Sequence, residues 1–296
     1  MKKQALEKAP LIHAVIQLRL TAIPEIENIS KEDMSQLHKK MIDGGFPEKI
    51  IAKFDQVSIN IDTSTQATTQ TNNALTRYLF RSAGQKETIE LFSINGTTSI
   101  TLKSVSYTNF NEFYSKFDKL LSIYLDLFPN LDKALLKSIG LRYVDLIVPD
   151  RHSTLPKFVQ DSVVPMSIAT LNENKNLHGF SQRYVAMKSD SQLKVAFEEI
   201  PTGEHKNLTK ILPDDLGEKD PTCGLMIQIQ EEWTNIESPT YGILDIENIK
   251  EFQISPEIDL NDIQNVTNTL YENCSKVFWE VITDKAKETW GVHDVN

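Results

Sequence analysis

Two alternating segments, LIHAVIQLRL at residues 11–20 and SIGLRYVDLIV at 138–148, constrain this chain more than any other feature. Successive side chains on a strand point to opposite faces, so a period of two marks a strand with two distinguishable sides. In the second segment Ile139, Leu141, Tyr143 and Ile147 share one side, while Arg142, Val144 and Leu146 share the other. In the first, Leu11, His13, Val15 and Gln17 oppose Ile12, Ala14, Ile16 and Leu18, so one side is apolar and the other mixed. Arg142 and Asp145 stand out, because a charge held near the centre of a sheet needs a partner or a solvated cleft.

Each segment opens a similar series. After the first comes a helical region over 30–53, with Ser30 as N-cap and a break at Gly44, Gly45 and Pro47. Strand-like runs follow at 56–62, 75–82, 87–94 and 97–104, with STQATTQTNN (64–73) reading as a polar loop. Asn95-Gly96 joins the last two as a two-residue hairpin, a turn that needs positive φ at both central positions. Residues 109–128 carry a broad aromatic stripe at helical spacing, including Phe110, Phe113, Tyr114, Phe117, Leu121 and Tyr124. The second series has a short helical piece at 154–160, a polar loop at 172–176, and strands at 180–188, 192–200, 224–232 and 241–249. A long excursion from Pro201 to Pro221 interrupts it, and a final helix spans 260–287.

Both halves thus read strand, helix, four strands, long helix. The expected fold is α+β, with two tandem antiparallel sheets, each packed on its own long helix. The boundary falls at 130/131, giving halves 1–130 and 131–296 of one compact pseudo-duplicated unit. This helix-grip order is similar, in topology alone, to the duplicated saddle of TATA-box-binding proteins.

DNA binding does not follow from that topology. Asp and Glu number 41 against 31 Lys and Arg, a formal charge of −10, and no stretch gathers cations with aromatics between them. A phosphate-binding surface needs several cations on one face, so nucleic acid is not the expected partner. No apolar run is long enough to span a membrane, and the opening MKKQALEKAP is not followed by a signal-peptide core, so a cytoplasmic protein is expected.

Catalytic signatures are missing from the sequence: there is no GxGxxG, GxxxxGK[ST] or GxSxG. The six histidines are scattered without metal-ligand spacing, and Cys223 and Cys274 form no CxxC, so neither a metal nor a cofactor is expected. Candidate ligand or interface residues are His13 and Arg19 of the first segment, Arg142, Tyr143 and Asp145 of the second, and the i, i+2 pair Asp245 and Glu247.

Three segments together, APLIHAVIQLRL, IGLRYVDLIV and YGILDIENI followed by VFWEVITDKAKETWG, resemble a sporadically distributed bacterial family of uncharacterised proteins. That family opens on a proline and an alternating strand containing Glu, has a central Leu-Arg-Tyr strand, and closes on a helix with Phe, Thr and Asp. Here His13 and Gln17 stand where the family has acids. The resemblance implies no activity or cofactor, and its patchy distribution implies accessory systems such as defence, toxin neutralisation or immunity. The resulting expectation is a non-catalytic protein that binds another protein, a toxin or effector encoded nearby, or a copy of itself. The alternative is a small-molecule binder or enzyme with its site between sheet and helix.

Overall fold

A computed structural model describes residues 3–62, 67–163, 179–188 and 190–295. In chain order the elements are β1 (Lys3–Leu6), β2 (Leu11–Thr21), α1 (Pro24–Glu27), α2 (Lys31–Asp43), β3 (Glu48–Asp62), β4 (Ala67–Arg81), β5 (Glu87–Ile94), β6 (Thr97–Ser104) and α3 (Phe110–Leu127). There follow β7 (Leu136–Ile147), β8 (Phe180–Lys188), β9 (Ser191–Pro201), β10 (Thr240–Glu251), α4 (Leu260–Val281), α5 (Asp284–Thr289) and β11 (Val292–Val295).

The protein is α+β, built on a large antiparallel sheet with helices packed against it. The two alternating segments are β2 and β7, and they pair with each other, Val15 opposite Arg142 and Ile16 opposite Leu141. That pairing replaces the two sheets expected from the sequence with a single nine-stranded one, in the order β3-β4-β5-β6-β2-β7-β10-β9-β8. A two-stranded ribbon, β1 with β11, joins the chain ends. A free edge on β2 or β7 would leave backbone donors and acceptors unmade, and each strand supplies them to the other.

Local chemistry accounts for the elements. Ser30 Oγ accepts from the Asp33 amide at 3.0 Å, Asn109 Oδ1 from Glu112 at 2.9 Å, and Asp259 Oδ1 from Asn261 at 2.7 Å, capping α2, α3 and α4. Asn95 and Gly96 adopt φ of 50° and 69°, the turn that closes β5 on β6. Several expected boundaries move. Residues 48–53 are strand, not helix, because β3 pairs with β4 from Glu48↔Arg81 onward. β4 begins at Ala67, inside the expected polar loop, whose residues 64–66 lie outside the described set, as does the expected loop at 172–176. Residues 224–232 form no strand; they lie in the long excursion and end in a single 3-10 turn at Glu231–Trp233. The last helix stops at Val281, and α5 restarts after the Thr283 cap.

The main core lies between the sheet and α2, α3 and α4. It takes Ala14, Ile16, Leu18 and Leu20 from β2, Ile139, Leu141 and Tyr143 from β7, and Phe113, Phe117, Leu121 and Tyr124 from α3. The opposite face of the sheet is crossed by residues 202–239, referred to below as the strap. At one end Leu208, Ile211, Leu212, Leu216 and Trp233 pack on Ile12, Val144, Leu146 and Ile243. At the other Cys223 packs on Ala52 and Leu79. Between these apolar ends the sheet face is charged.

Candidate functional site

The strap and the charged part of the sheet enclose a cleft of about 500 Å³. Its floor is read straight off the register. Lys103 of β6 lies opposite Val15 of β2, Val15 opposite Arg142 of β7, Arg142 opposite Glu247 of β10, and Glu247 opposite Lys194 of β9. Residues opposite one another on antiparallel strands share a face, so these side chains form one row across the sheet. Gln17 and Arg19 of β2, Thr101 of β6 and Arg77 of β4 line the same cleft.

Two ion clusters flank that row. Arg142 donates Nε and Nη2 to Asp245 at 2.8 and 2.7 Å, and Nη1 and Nη2 to Asp215 of the strap at 2.7 and 3.0 Å. Arg77 is held by Glu90 of β5, with Nη2 to Oε2 at 2.9 Å, and by Glu218 of the strap at 3.0 and 2.9 Å. Lys103 Nζ donates to the same Glu218 at 2.8 Å and stands 3.3 Å from Glu90. Burial alone would lower both guanidinium pKa values, but the carboxylates bonded to them hold them above the ordinary value. Burial pushes Glu218 up, and the hydrogen bonds and charges of Arg77 and Lys103 outweigh it, bringing the group to about 2. Asp215 is lowered by its hydrogen bonds to Arg142.

Of the residues singled out from sequence, the structure brings His13, Arg19, Arg142, Asp245 and Glu247 to this face. The β2 side chains alternate as expected from residue 13 on. A register shift between Leu11 and His13 puts Ile12 under the strap and returns Leu11 to the main core. His13 is 5% exposed, and burial, then the charges of Lys103 and Arg142, lower its pKa to about 4. Arg19 lines the cleft as an exposed side chain. Arg142 makes both its pairs within the second half of the chain, whereas Glu218 reaches Arg77 and Lys103 of the first, as Thr222 and Gly224 do through their carbonyls to Arg81.

Tyr143 and Asp145 go to the other face, beneath the helices. Tyr143 meets Tyr107 edge to face, with ring centroids 5.5 Å apart, and Tyr271 at 6.4 Å. Asp145 is 3% exposed, and burial, with a smaller contribution from the charge of Asp245, raises its pKa to about 8. A site between sheet and helix that gathers Arg142, Tyr143, Asp145, Asp245 and His13 is therefore not what forms, because odd and even positions of β7 point apart. Arg77, Glu90, Lys103, Asp215 and Glu218 were not singled out from the sequence. Strand parity places the first three, but only the return of the strap places the last two. Among the described residues no group of three or more His, Cys, Asp or Glu side chains is arranged to hold a metal ion.

Compared with known proteins, the chain matches no family model, no curated protein and no solved structure. Among the described residues no helix is long and apolar enough to cross a membrane.

Proposed function

We propose that this is a binding protein whose ligand, a small molecule with anionic groups, lies in the cleft between the charged sheet face and the strap. The observation that carries this reading is a concave site of about 500 Å³ in which Arg19, Arg77, Lys103 and Arg142 gather on the sheet face, offset by carboxylates of the sheet and the strap. Paired guanidinium groups in a fixed fork suit carboxylate and phosphate oxygens. A ligand that binds only the folded state raises the melting temperature. The test is a thermal-shift screen of small carboxylates, phosphates and amino acids, with hits repeated on Arg142→Gln. Stabilisation of the wild type that the variant loses supports the reading, and a screen without hits overturns it.

A second reading, association with another protein such as a toxin or effector, is favoured by β8. Among the described residues this is an outer strand, paired with β9, and it exposes Tyr184, Val185 and Met187 at 56%, 56% and 69%. An apolar edge strand accepts an added strand from a partner. In host lysate, a large complex formed by wild type and lost by a Val185→Lys, Met187→Lys variant supports this; identical elution of the two overturns it. The acidic net charge fits a basic partner, and the cytoplasm is the compartment we propose for either reading. The mirrored strand order, β3-β4-β5-β6-β2 beside β7-β10-β9-β8, supports a duplicated origin of the two halves in a saddle-like topology.

A further inference from the structure

The strap's two acids hold the outward-facing donors of the cleft's cations. Arg142 gives one edge of its guanidinium to Asp245, whose side chain is 11% exposed, and its other edge to Asp215, which is 66% exposed. Arg77 repeats the pattern, with Glu90 at 4% and Glu218 at 18% exposure. In both cases the sheet carboxylate is buried and fixed, while the strap carboxylate approaches from the solvent side. Asp215 and Glu218 stand three residues apart on one short segment, with Leu216 and Gly217 between them.

Charge counting gives the same picture. On and beside the floor stand the cations Arg19, Arg77, Lys103 and Arg142 and the carboxylates Glu90, Asp245 and Glu251, a surplus of one positive charge, with Glu247 matched by Lys194 at 3.0 Å. The strap adds Asp215, Glu218 and Lys219, which bring the cleft to neutrality. The Asp215 pair, open to solvent, contributes little net stability and exchanges readily, whereas Glu218, 18% exposed and shared by Arg77 and Lys103, is the more firmly held of the two.

Resting on the cleft reading above, we infer that Asp215 and Glu218 are built-in competitors, carboxylates that occupy the donor sites of a ligand with an anionic group at each end of a chain, a long dicarboxylate or a bisphosphate. Ligand entry then exchanges two strap carboxylates for two ligand anions on Arg142 and on Arg77 with Lys103, and lifts segment 214–219 from the sheet, which also draws Leu216 out of its apolar contacts. The apolar anchors on either side, Leu212 on one and Cys223 on the other, keep the rest of the strap in place.

The test uses the full chain, with suberate as the carboxylate probe and hexane-1,6-diol bisphosphate as the phosphate probe, chains long enough to reach between strands several spacings apart. Calorimetry on wild type and on Asp215→Asn, Glu218→Gln is expected to show at least ten-fold tighter binding of one probe to the double variant. Which probe responds tells carboxylate from phosphate. Equal or weaker binding by the double variant, or no binding of either probe to either protein, overturns the competitor role. The cleft reading is judged separately, by the thermal-shift screen. Should the double variant fail to fold, amide exchange on wild type decides: faster exchange across 214–219 with saturating probe supports the inference, and unchanged exchange overturns it.

Discussion

Arg142 joins the two levels of this structure, because one side chain serves a buried pair with Asp245 and an open pair with Asp215. Removing it leaves Asp245 as a buried carboxylate without its cation, and breaking a buried pair from one side costs several kcal/mol. Arg142→Gln is expected to lower stability by roughly 3 kcal/mol in urea titration, while Asp215→Asn, which strands no buried group, changes it by less than about 1 kcal/mol. His13 and Asp145 set the pH dependence. His13, lowered from 6.5 to about 4, takes up a proton on unfolding between those values, so its contribution is present above pH 6.5 and is lost as pH falls through 4. Asp145, raised from 3.8 to about 8, releases a proton on unfolding between those values, so stability falls as pH rises towards 8. The two slopes oppose each other between pH 4 and 6.5, and Asp145 acts without that opposition from 6.5 to 8. Urea midpoints against pH are expected to fall over the upper window in wild type and to stay level there in Asp145→Asn.

At the scale of elements, the hairpin of β5 and β6 shows local chemistry at its strongest. Both strands end where the sequence pattern places them, because Asn95-Gly96 dictates the turn whatever surrounds it. Gly96→Ala puts a Cβ at φ 69° and is expected to lower stability by about 1 kcal/mol in denaturant titration, without moving the strands. A different constraint governs Gly242 in β10, where a Cβ would stand 2.8 Å from the Phe197 ring of β9. Phe197 is fully buried and cannot withdraw, so Gly242→Ala is expected to cost about 1–3 kcal/mol and to loosen the β9–β10 pair, seen as faster amide exchange in both strands. Elsewhere tertiary pairing overrides local signals. Polar Thr68–Asn73 would be loop by composition, yet its backbone is drawn into register with β3. Residues 224–232 alternate like a strand, yet among the described residues they pair with no strand and lie in the strap.

At the scale of the molecule, the β2–β7 pairing fuses what the sequence divides into two halves. A sheet continuous through that seam, with Glu218 tied across it, is expected to unfold as one unit. All three tryptophans, Trp233, Trp279 and Trp290, lie in the second half, so their fluorescence follows that half while far-ultraviolet circular dichroism follows both. Coincident denaturation curves are the expected result, and an earlier dichroism transition would show the first half unfolding independently. By itself the sequence determined the type of most strands and helices, the two faces of β7 and of β2 from His13 on, and the burial of the aromatic side of α3, because these follow from periodicity and capping within about 20 residues. It also marked Arg142 and Asp145 as charges in need of partners or a cleft. Only the tertiary structure decided that one sheet replaces two, that Tyr143 and Asp145 face away from Arg142, and that Asp215 and Glu218 come from a distant excursion to cover the cleft. Those outcomes rest on which edges meet and where a long segment returns. Such contacts join residues about 70 to 140 positions apart, a separation at which periodicity carries no information.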